Sequence, residues 1–220
     1  ATSFNQNINN WDVSNVTNMM SLFQFSKNFN QPLNNWDVSK VINMCSMFNE
    51  ATGFNQDISN WNVSNVTDMS YMFKEAISFN QPLNNWDVSN VIDMYMMFSC
   101  AVRFNQPLNN WDVSKVKDMY GMFRDTIKFN QPLNNWDVSK VINMSRMFWD
   151  AIKFNQPLNN WNVRNVENMF CMFCEAKNFN QLLTILKWDL DGKNTKYIIS
   201  KTPLEKYKNF PINKVIRKMI

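Results

Sequence analysis

The stretch FNQPLNNWDVSKVINMCSMF, residues 29–48, returns in nearly the same form from residues 4–23 to residues 154–173. Its Phe-Asn-Gln triplet recurs every 25 residues without insertion or deletion. The phenylalanines of the triplets are Phe4, Phe29, Phe54, Phe79, Phe104, Phe129, Phe154 and Phe179. A strict period of this length is typical of a solenoid, in which stacked copies of one unit cover each other's apolar faces.

The apolar spacing within the unit predicts a short strand and then a helical turn. Leu33, Trp36 and Val38 have the L-x-x-L-x-L spacing of a leucine-rich repeat, in which Trp36 and Val38 point inward and Asp37 outward. An i, i+3, i+6, i+7 pattern that suits helical turns follows at Val41, Met44, Met47 and Phe48. We therefore predict a leucine-rich-repeat-like solenoid with one short parallel strand and one short helical turn in each repeat.

The Phe-Asn-Gln triplet is predicted to form a return loop. A proline stands four residues before the tryptophan in five repeats, as Pro32 does before Trp36, and proline lacks the N–H that an interior strand donates. The strand should therefore begin after this position. The uniform Asn and Gln side chains would then form a structural ladder that bonds to loop backbone groups, in preference to a ligand site.

The shared pattern L-N-N-W-D-V-S-x-V-x-x-M-x-x-M-F resembles the BspA-like leucine-rich-repeat surface proteins. In particular it is similar to their 25-residue repeat family, first noted as a domain of unknown function in mycoplasma lipoproteins. The resemblance covers about residues 1–181. It implies a short-stranded solenoid displayed at a cell surface, with protein binding or adhesion as its role, and it implies no catalytic residues.

The repeat pattern changes near the C-terminus. Residues 4–178 hold seven complete repeats, and the start of an eighth extends the repeat region to residue 181. Trp188 then follows Phe179 by nine residues, whereas the tryptophan of each complete repeat follows its phenylalanine by seven. Asp191-Gly192 indicates a tight turn into a possible hairpin strand over 195–200, and Thr202-Pro203 a helix start. We predict that residues 182–220 form a cap.

Charge and composition exclude several functional classes. The net charge of +4 is concentrated in residues 180–220, which hold nine basic and three acidic side chains, whereas residues 1–179 hold 13 and 15. Nucleic-acid binding is not expected, because it needs basic side chains spread along a surface. No apolar run is long enough to predict a transmembrane segment. With no histidine and three glycines, the chain is not expected to be an enzyme or to bind a cofactor or metal.

The four cysteines fall at different places in the unit and form no repeated site. Cys171 and Cys174 have the spacing of half a zinc site or of a redox pair, yet no second pair follows. We interpret them as two ordinary thiols.

Partner recognition by a repeat protein uses exposed positions that differ between copies, because uniform positions are used for stacking. The predicted helix side varies most and carries side chains that commonly anchor interfaces. Neutral variation on a tolerant surface is the alternative explanation, and the variation alone favours it. We call these five residues the tyrosine–arginine row: Tyr71, Tyr95, Tyr120, Arg146 and Trp149.

A second candidate lies on the predicted strand face. We call these four residues the aspartate row: Asp37, Asp87, Asp112 and Asp137. The column also includes Asp12, Asn62 and Asn162, and it could imitate a calcium ladder. One carboxylate in each repeat falls short of the six to eight oxygens that calcium takes, so a solvated column is favoured.

Two functions from different classes remain open. The first is a surface-displayed module, monomeric, that binds a protein or glycan partner. The second is an intracellular structural scaffold that is not exported. Since Ala1-Thr2-Ser3-Phe4 matches the middle of a repeat, we expect a segment upstream that carries a cap and any signal or lipid anchor.

Overall fold

The computed structural model describes residues 2–207. Its regular elements are one α-helix, α1 (Leu182–Lys187), and one 3₁₀-helix (Glu205–Tyr207). Successive repeats lie parallel and meet at one isolated bridge residue in each copy, and residues 2–207 contain no longer strand. The bridge residues are Asn18, Asn43, Asp68, Asp93, Asp118, Asn143, Asn168 and Asn194. The repeats therefore form a stack without a conventional sheet.

Eight residues in each repeat, beginning at the bridge, connect the stack; we call them the ladder segment. The first is residues 18–25 and the last is residues 194–201. The N–H groups of Met19 and Phe23 donate to carbonyls of the next repeat, at 2.9 Å in both cases. The N–H of Gln24 instead donates three residues back to the Ser21 carbonyl at 3.1 Å. N–H groups thus alternate along the segment between donating to the next repeat and closing a local turn.

Left-handed backbone keeps the ladder segment from becoming either a helix or a strand. Two residues in each copy have positive φ, as at Ser46 (57°) and Glu50 (58°) in the second repeat. Only one residue at these repeat positions, Gly121, is a glycine. Left-handed conformation is uncommon for other residues and costs about 1 kcal/mol or more each, so the inter-repeat hydrogen bonds must hold it in place.

The predicted fold class, a leucine-rich-repeat-like solenoid with a strand and a helical turn in each repeat, is therefore wrong. Trp36 and Val38 are buried and Asp37 is exposed, as expected, but their backbone forms no bridge. It enters a turn instead, closed by the Val41 N–H donating to the Val38 carbonyl at 2.9 Å. The spacing of Met44 and Met47, taken for helical, belongs to successive i to i+3 turns, which place apolar residues at the same interval.

The core consists of columns in which the same residue stacks from copy to copy. Tryptophan rings of successive repeats lie nearly parallel, with centroids 6.4 Å apart for Trp61 and Trp86. Phenylalanines from the triplet and from the ladder segment interleave, as Phe48 does with Phe54 at 4.0 Å. Each buried indole N–H has an acceptor in the preceding repeat; Trp86 Nε1 donates to the Ile58 carbonyl at 3.1 Å.

The predicted polar ladder of the return loop is confirmed. Asn80 Oδ1 accepts the backbone N–H of Asn105 at 2.9 Å, and the Asn80 carbonyl accepts Gln106 Nε2 at 3.0 Å. The same asparagine bond links every pair of successive triplets from Asn5 to Asn180. These amides supply the partners that loop backbone needs in place of a sheet.

The stack continues past the last regular repeat. Helix α1 takes up the additional residues, so that Trp188 still stacks on Trp161 with ring centroids 6.2 Å apart. Residues 194–201 form an eighth ladder segment. The Met169 N–H donates to the Asn194 carbonyl of this segment at 2.8 Å. The hairpin strand predicted over 195–200 is therefore wrong, since this segment runs parallel to its neighbour.

The predicted helix start at Thr202 precedes the 3₁₀-helix. Thr202 Oγ1 accepts the Leu204 N–H at 3.2 Å and donates to the Ile199 carbonyl at 2.7 Å. The remainder of the predicted cap, residues 208–220, lies outside the described residues.

Replacing Trp86 with alanine tests the tryptophan column. Trp86 is 3% exposed, so we expect a loss of about 3–5 kcal/mol in the free energy of unfolding, measured by urea denaturation. Trp11 is the matched control: it holds the same repeat position in the first copy, is 58% exposed, and should cost below about 1 kcal/mol on the same change. Equal losses for the two variants would contradict the column arrangement.

Replacing Asn80 with alanine tests the polar ladder. The change leaves the Asn105 N–H without its acceptor, and we expect a loss of about 1–3 kcal/mol in the free energy of unfolding. Asn80→Asp keeps the Oδ1 acceptor and should retain more stability. Asn85, exposed and without a hydrogen bond to the described residues, is the control for Asn→Ala at the surface. A loss at Asn85 as large as at Asn80 would rule the ladder out as a source of stability.

Candidate binding surface

The tyrosine–arginine row lies on the ladder segments, where one repeat differs most from the next. Within the row, the rings of Tyr71 and Tyr95 have centroids 5.0 Å apart at 52°, and those of Tyr95 and Tyr120 lie 4.7 Å apart at 8°. Each of the three side chains is partly exposed. The structure thus brings together the three tyrosines that the sequence analysis selected.

Local turns fix the direction of these tyrosines. The backbone N–H of Tyr95 donates to Asp93 Oδ1 at 2.8 Å, and that of Tyr120 donates to Asp118 Oδ1 at 2.7 Å. Such side-chain-to-backbone bonds, made two residues along the chain, hold an Asx turn. Burial, with the charges of Asp68 and Asp118, raises the pKa of Asp93. The carboxylates of Asp93 and Asp118 therefore hold the backbone of the two tyrosines and do not serve as free acidic groups.

Arg146 continues the row from Tyr120. Its Nη1 donates to the Tyr120 hydroxyl at 2.7 Å. Its guanidinium carbon lies 4.9 Å from the ring centroid of Trp149 and 5.6 Å from that of Phe170. These are cation–π distances. The four side chains Tyr120, Arg146, Trp149 and Phe170 therefore form one contiguous cluster.

The charge of Arg146 has no carboxylate partner among residues 2–207. The ion pairs within that range are Lys74 with Glu75, Arg124 with Asp125 and Lys201 with Glu175. Arg146 Nε is in addition buried without a hydrogen-bond partner. Aromatic faces and one phenol thus surround a half-buried cation whose donors are only partly used.

Three residues in or next to this cluster are not among the five residues of the tyrosine–arginine row. The guanidinium carbon of Arg124 lies 4.6 Å from the Trp149 ring centroid. Arg124 Nε also forms an ion pair with Asp125 Oδ2 at 3.0 Å. Phe170 adds a ring next to Arg146. Gly121, with φ of 55°, contributes no side chain between Met96 and Arg146 in its column; an added Cβ would lie 3.3 Å from Met96 Cγ. The signal in the sequence is the shared column, since each of the three stands 25 or 50 residues from a member of the row.

The aspartate row has a structural role. Asp37, Asp87, Asp112 and Asp137 each accept, through Oδ1, the backbone N–H of the serine two residues later at 3.0 Å. Hydrogen bonds from that serine's hydroxyl and then from its backbone lower the pKa of Asp37, Asp112 and Asp137. The carboxylates are exposed at the turns that they hold. The structure does not connect them to the tyrosine–arginine row by any hydrogen bond or ion pair among the described residues.

Known sequences place this pattern of repeats in a family. The family described as "Mycoplasma protein of unknown function, DUF285" matches residues 1–108 and again residues 93–207. The chain belongs to this family. The two overlapping matches cover the complete stack and extend over α1 and the eighth ladder segment, so the family pattern includes the end of the stack. No curated protein matches the chain.

The two helices that the structure describes, over 182–187 and 205–207, are short. Within residues 2–207, no helix has the length and apolar character needed to cross a membrane.

Alkaline titration tests the packing of Tyr95. Burial, with a hydrogen bond to Tyr71, raises the pKa of Tyr95 to about 12, above the value of about 10 for an unfolded chain. The folded state therefore holds this proton more tightly, and the resulting stability is complete below pH 10 and lost as the pH rises towards 12. We expect Tyr95→Phe to remove the most alkaline component of the tyrosine absorbance titration and to flatten the fall of stability over this range.

Tyr197→Phe is the control for this titration, because Tyr197 is 54% exposed and lies outside the stacked tyrosines. That variant should keep the most alkaline component. If Tyr95→Phe leaves the titration unchanged, Tyr95 does not pack as described.

Proposed function

We propose that the protein is a non-enzymatic module that binds a protein partner through the tyrosine–arginine row. The observation that supports this proposal is the contiguous cluster of Tyr120, Arg146 and Trp149 on an otherwise uniform stack. Tyr, Trp and Arg are the residues that most often dominate interface energies. The core columns repeat from copy to copy, whereas this cluster occurs once.

The cluster favours a protein partner over a glycan. Sugars bind to the open faces of aromatic rings, but the faces of Tyr95 and Tyr120 are turned towards each other at 8° and 4.7 Å. Ring edges and hydroxyl groups remain for a partner. A carboxylate of the partner, next to an apolar side chain, would pair with the guanidinium of Arg146 and accept from the tyrosine hydroxyls.

We propose further that the module is displayed at a cell surface. This placement rests on the resemblance to surface repeat proteins. Protease treatment of intact cells, followed by immunoblotting, tests it: removal of the repeats from intact cells is expected. Full protection until the cells are broken would favour the intracellular scaffold.

Binding itself is tested with variants of the tyrosine–arginine row. A partner captured from cell-surface proteins by the full chain is purified, and its affinity is measured by biolayer interferometry. We expect Tyr95→Ser with Tyr120→Ser, and separately Arg146→Gln, to weaken binding by roughly 30-fold or more, as for residues that dominate an interface. Thermal unfolding confirms that each variant is folded.

Asp87→Asn with Asp112→Asn provides the matched control. Asparagine keeps the Oδ1 acceptor of the turn, as Asn62 does for Ser64 at 3.2 Å, and removes only the charge. This variant should bind as tightly as the unchanged chain. Loss of binding here, with full binding by the tyrosine and arginine variants, would transfer the site to the aspartate row.

A further inference from the structure

Two thiols of the seventh ladder segment lie against each other. Cys174 Sγ is 3.0 Å from Cys171 Sγ, and both cysteines are buried, with 9% and 6% exposure. Both are free thiols in the structure. The remaining cysteines, Cys45 and Cys100, belong to other repeats and other columns. The sequence indicates two ordinary thiols, but the contact between the sulfurs changes that interpretation.

The turn that joins the pair is compatible with the Cα separation that a disulfide needs. Cys174 N–H donates to the Cys171 carbonyl at 3.1 Å, which closes a four-residue turn. The first and last Cα atoms of such a turn lie within about 7 Å, and a disulfide joins Cα atoms about 4.4–6.8 Å apart. The sulfurs need to approach by only about 1 Å to reach the covalent S–S length of about 2.05 Å.

We propose that Cys171 and Cys174 are a modification site, at which an intramolecular disulfide forms by exchange with a low-molecular-weight disulfide such as glutathione disulfide. One cysteine loses its proton, and its thiolate attacks a sulfur of the small disulfide, which releases one small thiolate and leaves a mixed disulfide on the protein. The second cysteine loses its proton and attacks the protein sulfur, which releases the second small thiolate. The two cysteines are oxidised by two electrons, the small disulfide is reduced by two, and both protons go to the released thiolates.

The surroundings of the pair should make the first attack slow and the closure of the ring fast. Burial, followed by the hydrogen bond to Cys171, raises the pKa of Cys174 to about 12, so the thiolate of Cys174 is scarce at neutral pH. Since only the thiolate attacks, the first step should accelerate as the pH rises. The second thiol already lies in contact, so the mixed disulfide should close into the ring before it accumulates.

The disulfide would fix the junction between the last regular repeat and the end of the stack. Cys171 N–H donates to the Lys196 carbonyl at 3.0 Å, so the turn that the disulfide closes is also bonded to the eighth ladder segment. Between the two cysteines lies Phe173, whose ring stacks on Phe179 at 3.9 Å and on Phe148 at 5.5 Å. Oxidation therefore ties down a turn that packs on both sides.

The test uses the full chain with Cys45→Ser and Cys100→Ser, which keeps only the pair. The protein is incubated at alkaline pH with glutathione disulfide, quenched with acid and measured by intact mass. We expect a loss of about 2 Da, for the two hydrogens removed, and a higher midpoint of thermal unfolding for the oxidised form. Both changes should reverse with dithiothreitol.

Adding Cys171→Ser to the same background gives the matched control. With one thiol remaining, the expected product is the glutathione adduct, and the unfolding midpoint should not rise. Two results would overturn the proposal: accumulation of the adduct on the two-cysteine protein without ring closure, or persistence of both free thiols under conditions in which the control forms its adduct. The test makes no use of a binding partner, so its outcome is separate from that of the proposed function.

Discussion

The backbone hydrogen bonds of the ladder segment are the constraint on which the remainder of the structure depends. Alternate N–H groups, such as those of Met94 and Phe98, donate to the next repeat, while that of Met97 closes a turn on Met94. Buried N–H groups must be paired, and this pattern pairs them without a helix or a sheet. It also holds Met96 and Cys100 in the left-handed region, which isolated residues of these types avoid.

Once the ladder fixes the relation of one repeat to the next, identical side chains must meet. Each buried tryptophan of the column then lies over its equivalent and donates to the preceding repeat, and each Asn of the triplet accepts from the next. A residue that departs from the pattern affects two neighbours instead of one. This geometry explains why Trp188 returns to its column although the chain before it is two residues longer: α1 absorbs the difference.

The same regularity concentrates chemical variety on a small part of the surface. Columns that stack internally vary little, whereas the variable columns of the ladder segment hold tyrosine, arginine, tryptophan and cysteine. The stack places successive members of a column within contact distance, so that Tyr95 reaches Tyr120 and Arg146 reaches back to the Tyr120 hydroxyl. Residues 25 apart in sequence thereby become parts of one surface, and residues three apart, Cys171 and Cys174, meet across a turn.

Much of the candidate surface follows from the sequence because a strict period implies stacking. The period alone indicates that Tyr95 and Tyr120 are neighbours and that Asn105 follows Asn80 in a ladder. The period does not indicate which side chains of different columns contact each other. The cluster around Trp149 could not be read fully, since the side-chain directions of Arg124 and Arg146 depend on the turn geometry at their own positions.

The repeat length, the buried columns, the polar ladder of the return loop and the varying residues all follow from the sequence alone. The backbone path does not, because apolar spacings of three and four fit a helical turn and a series of i to i+3 turns equally well. The two alternatives differ in the sign of φ at residues such as Ser46 and Glu50, and the types of these side chains do not predict a positive φ. Hydrogen bonds from the adjoining repeats select the left-handed alternative, and those bonds exist only in the assembled stack.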